Sequence, residues 1–187
     1  IKHIMKAEKE GNMMDDMNVS FAAGALVGIL LVILFALWKK RRGTEPRYDE
    51  RQVVARAKAA QLALGVLAAL MLVNGFVREI LQTAWAGPFL EAGTLLMAAA
   101  TVYVLRCVWT DAYFSLRERP KTWAHIFAVV MVLNAVLGVV SILRGEMVEN
   151  GLLTFRAANP MLAAMFAVLL IALALKRRKD RREEAET

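Results

Sequence analysis

The sequence predicts an all-α polytopic membrane protein, a five-helix transmembrane bundle with its N-terminus outside and its C-terminus in the cytoplasm. Three observations predict it. The chain has 187 residues and is 58% hydrophobic, with a mean hydropathy of +0.46. Its apolar residues gather into five blocks, residues 19–38, 60–77, 93–109, 124–143 and 160–175, each close to the ~20 residues that cross a bilayer's hydrocarbon layer. Lysine and arginine crowd every second connection between those blocks, as they do in loops retained on the cytoplasmic side. Helices are required because an open strand would leave backbone groups unpaired in lipid, and the alternating pattern of a membrane barrel is absent. The connections are too short to hold a separate soluble domain.

Composition excludes several chemistries. The one cysteine, Cys107, allows no internal disulfide and no cysteine-based zinc site; deep in the third block it reads as a small apolar residue. The net charge of +7 is concentrated beside the apolar blocks, where basic clusters orient helices and anchor anionic lipid headgroups at the inner face. No nucleic-acid partner is expected. No HExxH, Gly-x-Ser-x-Gly, phosphate loop or paired histidine spacing occurs, so neither an enzyme nor a bound cofactor or metal is expected. An Asp111–His125 pair at the inner face is the one thin candidate for a dyad.

Residues 1–18 form a short polar N-terminal tail. Lys9-Glu10-Gly11 can be encoded by AAG-GAG-GGN, which contains a bacterial ribosome-binding sequence, and Met13-Met14 follow at a suitable distance. Residues 1–12 are therefore expected to be translated leader; the other reading is an ordinary disordered tail. In the first block Ser20, Gly24 and Gly28 recur every fourth residue. That small-xxx-small face lets helices approach closely, either within the bundle or across a homodimer seam.

Residues 39–59 form a basic cytoplasmic loop and the start of the second helix. Lys39, Lys40, Arg41, Arg42, Arg47, Arg51, Arg56 and Lys58 place this loop inside. Alternation then puts residues 79–92 outside, 111–123 inside, 144–159 outside and the charged tail 176–187 inside. The basic residues agree: Arg117, Arg119 and Lys121 fall in the second inner loop and Lys176–Lys179, Arg181 and Arg182 in the tail. The outer segments past the first span carry only Arg78, Arg144 and Arg156. Trp38, Trp109 and Trp123 stand at inner helix ends and Trp85 in an outer loop, matching the preference of this ring for membrane boundaries.

The second helix is expected to begin before the membrane does. Asp49 suits an N-cap, Gln52 three residues later completes a capping box, and Tyr48 and Val53 occupy the positions of a hydrophobic staple. Tyr48-Asp49-Glu50-Arg51-Gln52, followed by Arg56-Ala57-Lys58-Ala59 leading into a span, resembles a group of small multi-span membrane proteins common in Firmicutes. That group carries an Asp-Glu-Arg-Gln signature before a transmembrane hairpin. The resemblance covers this stretch and the general arrangement; it implies a bacterial cytoplasmic membrane and no particular activity. Asp49, Glu50, Arg51 and Gln52 read either as a helix cap or as a docking surface for a cytoplasmic or membrane protein partner.

Inside the spans Asn74, Thr101 and Asn134 are the candidate polar contacts. Counted at 1.5 Å per residue, Thr101 and Asn134 lie at similar depths of about 12–14 Å from the outer boundary and could meet across a helix interface. Arg106 lies near the inner boundary and can snorkel outward. No Asp or Glu falls within the five blocks, which leaves proton-coupled transport without its usual carboxylate. A constant shift also places Arg51 on Arg117, Arg78 on Arg144 and Phe89 on Phe155, the register of a weak parallel repeat of two hairpins. The expected role is a non-enzymatic accessory or regulatory membrane component that presents a basic cytoplasmic helix to a partner; the alternative is a small-solute transporter or channel, dimeric through the first helix.

Overall fold

The structure is a computed structural model that describes residues 48–115 and 120–186, together with residues 34 and 37. It divides into two compact units, Ile1–Pro46 and Arg47–Thr187. In the first, Leu34 and Leu37 are helical and about half exposed. The expected leader, the Ser20, Gly24 and Gly28 face and the basic run Lys39–Arg42 lie outside the described residues.

In the second unit four long helices carry the apolar blocks: α1 (Glu50–Leu81), α2 (Pro88–Trp109), α3 (Pro120–Leu143) and α4 (Ala158–Ala185). All four are long and apolar enough to cross a membrane, so the unit is that of an integral membrane protein whose exposed apolar flanks would contact lipid. α1 has 32 residues; its first ten precede the apolar block and extend about 15 Å beyond it. α2 starts five residues before the apolar block does. Gly87 supplies the N-cap and Pro88 the N1 position, where a missing N–H costs nothing. Residues 88–92, expected in a loop, are therefore helical.

The helices lie in the order α1–α2–α4–α3: α1 packs on α2, α2 on α4 and α4 on α3. This order is the one that two hairpins packed about a two-fold axis would give. The starts of α1 and α3 and the ends of α2 and α4 share one end of the unit, here the basic end. The opposite end is closed by the loops that follow α1 and α3.

The stops of α2 and α3 have a backbone reason. After α2, Asp111 adopts φ 57°, its N–H donates to Val108 O, and that of Ala112 donates to Cys107 O at 2.8 Å. This is a Schellman stop with Asp111 in the left-handed position, which aspartate tolerates better than most residues. α3 ends the same way at Gly145 (φ 68°), with Gly145 N–H to Ile142 O and Glu146 N–H to Ser141 O. The following segment holds a short hairpin, β1 (Val148–Glu149) and β2 (Leu152–Leu153), in antiparallel register Val148↔Leu153 and Glu149↔Leu152. Asn150 and Gly151 both have positive φ, the requirement of a two-residue type I′ turn. Leu153 N–H donates to Trp85 O at 3.0 Å, so the loop after α1 pairs with the hairpin after α3. Ala86, Leu90 and Ala157 are buried there, with Met147, Leu153 and Met161 packed around them.

At the basic end Val108, Phe127 and Leu173 form a second buried cluster. Tyr113 stacks edge-on against Phe114 and Phe127, and Phe127 also meets Trp123 and Phe166. Between the two clusters α3 and α4 touch at Gly138, where an added Cβ would lie 3.1–3.2 Å from Pro160. Gly138→Leu is therefore expected to push the two helices apart and cost about 1–3 kcal/mol, the usual penalty of overpacking. At Gly65, where an added Cβ meets nothing within 4 Å, alanine should change stability by no more than about 1 kcal/mol. Thermal unfolding in detergent measures both.

Candidate functional site

The motif at the start of α1 folds as a cap and as a clasp. Asp49 Oδ1 accepts the Gln52 N–H at 2.6 Å, and Gln52 Oε1 accepts the Asp49 N–H at 3.3 Å, the reciprocal pair of a capping box. The Gln52 amide does more than close the cap. Its Nε2 donates to Asp111 O at 2.7 Å and to Phe114 O at 3.2 Å, and Arg56 Nη1 donates to Ala112 O at 3.1 Å. Three carbonyls exposed by the stop after α2 are thus satisfied from α1. The Arg56 guanidinium also covers the Tyr48 ring at 4.3 Å and lies 5.8 Å from that of Tyr103. Asp49, Glu50 and Arg51 remain exposed on the outer side of this clasp.

The same turn is tied to α4. Lys176 Nζ bridges Asp111 Oδ2 at 3.0 Å and Asp180 Oδ1 at 2.7 Å. Lys176 stands just past the apolar part of α4; the Asp180 hydrogen bond, helped by Asp111, raises its ammonium pKa above the ordinary value. A raised pKa means that this contribution to stability is present through neutral pH and lost only as pH rises past the lysine range. Asp111, the thin dyad candidate with His125, gives one carboxylate oxygen to Lys176. Among the described residues no group of three His, Cys, Asp or Glu side chains could hold a metal ion.

The polar groups within the spans are arranged differently from expectation. Thr101 Oγ1 donates to Met97 O at 2.7 Å and Asn134 Nδ2 to Val130 O at 2.8 Å, each in its own helix. Thr101 and Asn134 do not meet across a helix interface: α4 lies between α2 and α3, and each side chain takes the carbonyl four residues back in its own helix. Asn74 instead joins a network at the end closed by the loops. Its Oδ1 accepts the Trp85 indole N–H at 2.8 Å, and its Nδ2 approaches Glu91 Oε2 at 3.5 Å. Arg78 Nη1 donates to the same carboxylate oxygen at 2.9 Å. Glu91 is 3% exposed and Arg78 44%.

Glu91 is the residue that reading the chain left aside. It lies two positions before the apolar block and was expected in a loop, yet in the first turn of α2 it is buried. The signal was present: Gly87-Pro88 is a helix start, and an acid three positions after a proline at N1 fits the positive end of the helix dipole. Beside this network lies a cleft of about 460 Å³ between α1 and α2, lined by Asn74, Arg78 and Glu91 together with Leu67, Met71, Leu95 and Leu96.

No family model, curated protein or solved structure matches the chain. Its chemistry is therefore read from its own residues.

Removing one member of the Arg78–Glu91 pair leaves the other charge without its partner. Such a loss costs about 3–5 kcal/mol when both groups are buried; with Arg78 partly exposed, about 2–3 kcal/mol is expected for Arg78→Leu. Replacing both residues by leucine should recover a large part of that loss. A double-mutant cycle of unfolding free energies in detergent measures the coupling.

Proposed function

We propose that the chain is a five-span protein of a bacterial cytoplasmic membrane, N-terminus outside and C-terminus inside. It acts there as a non-enzymatic accessory or regulatory component whose basic end is a platform for a protein partner. The observation that carries this reading is the clasp at the start of α1. Gln52 and Arg56 are spent within the chain on the 111–114 turn, while Asp49, Glu50 and Arg51 stay exposed on a capped helix end. A short charged surface held rigid in this way loses little conformational freedom when it is bound.

Orientation follows from charge. Arg51, Arg56, Lys58, Lys176–Lys179, Arg181 and Arg182 share one end of the second unit, and Arg78, Arg144 and Arg156 the other. The positive-inside rule puts the first group in the cytoplasm, where it also meets anionic lipid headgroups. The likeness of Asp49-Glu50-Arg51-Gln52 to the signature of small Firmicutes membrane proteins supports the same setting. Transport has less to stand on, since Thr101 and Asn134 each turn back to their own helix.

Three measurements test this reading. Single cysteines at Lys58 and Glu183, in a chain with Cys107 replaced, should resist a membrane-impermeant thiol reagent in intact cells and react after permeabilisation; labelling in intact cells reverses the topology. Substituting Asp49, Glu50 and Arg51 together by alanine should abolish co-purification of a partner while membrane insertion persists. Solute flux in liposomes that disappears on Asn134→Leu would replace the platform with a transporter.

A further inference from the structure

The cleft between α1 and α2 has the two chemistries of an amphiphile site. Its walls toward the middle of the spans are Leu67, Met71, Leu95 and Leu96, and its end near the interhelical loop is Asn74, Arg78 and Glu91. Leu67 to Arg78 covers eleven helical steps, about 16 Å along the axis, the reach of a headgroup and the upper part of one acyl chain. Space for that chain exists because Gly75 lines the cleft and a Cβ there would meet nothing within 4 Å.

The polar end is incompletely satisfied in a way that specifies its ligand. Glu91 Oε2 receives Arg78 and Asn74, but buried Oε1 has no hydrogen-bond partner among the described residues. A carboxylate oxygen left without a donor in an apolar setting is costly. Arg78 has five N–H donors, of which those on Nη1 face Glu91, and 44% of its side chain is exposed. A ligand that completes both groups brings an N–H donor for Glu91 and an anionic acceptor for Arg78, joined by a few atoms and attached to an apolar tail.

We propose that this cleft binds a phospholipid whose headgroup carries a primary ammonium, with the ammonium on Glu91 and the phosphate on Arg78. A neutral, partly exposed ion pair beside an apolar cleft between two spans offers a headgroup a partner for each of its charges. Charge balance sets the selectivity. The Arg78–Glu91 pair is neutral overall and matches a zwitterion. A headgroup with phosphate alone would add a second anion against one arginine, and a quaternary ammonium would bring no N–H to Oε1. The inference needs α1 and α2 in a bilayer; it does not need the orientation of the chain or a partner at the basic end.

Native mass spectrometry of the full chain in mild detergent, with equimolar phosphatidylethanolamine, phosphatidylcholine and phosphatidylglycerol of matched acyl chains, tests it. One phosphatidylethanolamine should be retained about tenfold more tightly than either competitor, a difference of about 1.4 kcal/mol. Gly75→Leu, which fills the cleft without touching the ion pair, should remove that bound lipid. Glu91→Gln should erase the preference over phosphatidylcholine. Equal retention of the three lipids, or a preference for phosphatidylethanolamine that survives Gly75→Leu, overturns the site. Should Glu91→Gln fail to fold, the cleft-filling variant carries the decision alone.

Discussion

Polar groups within hydrocarbon have no water to fall back on, and the described unit is arranged around that constraint. Every helix interior satisfies its own backbone, so the open questions fall at the helix ends, where carbonyls and N–H groups are left over. Here they are answered by a small number of residues. Gln52 and Arg56 take three carbonyls after α2, Asp111 and Gly145 fold the stops back on themselves, and Trp85 and Leu153 pair the two loops at the opposite end.

α1 shows why these ends matter. Its principal packing partner is α2, and Leu64, Leu72, Phe76 and Ile80 are exposed along it. In lipid such exposure is no penalty, but neither does hydrophobic burial hold the helix in place. Specific bonds do so instead, and they occur at both of its ends. The Gln52–Arg56 clasp fixes one, and the Asn74–Arg78–Glu91–Trp85 network fixes the other. The cleft lies between α1 and α2 beside the second of these ties. The ion pair is thus both a tie between helices and the polar rim of an apolar groove, and the same buried carboxylate serves both.

The α3–α4 pair is built otherwise. Gly138 lets Pro160 come close, and the aromatic group around Phe127 fills the space at the basic end. Van der Waals packing of small against bulky residues carries this interface, as expected where lipid and side chain are equally apolar. Phe89 and Phe155 meet with ring centroids 5.5 Å apart, and α2 and α4 occupy the middle of the row.

The helices that the sequence makes legible are those set by local rules. Apolar blocks at 60–77, 93–109, 124–143 and 160–175 became helices because a lipid-spanning segment has no other way to satisfy its backbone. Asp49 and Gln52 formed their capping box because both partners lie within one turn. The Asn150-Gly151 turn was equally local, though its two-residue strands are too short to show an alternating pattern. What pairs across distance was not legible. Thr101 and Asn134 sit at matching depths yet each found a carbonyl in its own helix, while Glu91, two residues outside an apolar block, became a buried charge beside Asn74 and Arg78. Spacing along the chain determined which segments cross hydrocarbon; only the approach of α1 to α2 decided which polar groups share a site. Hydrogen bonds and ion pairs depend on ångström distances between helices, and those distances follow from side-chain packing that a linear pattern does not encode.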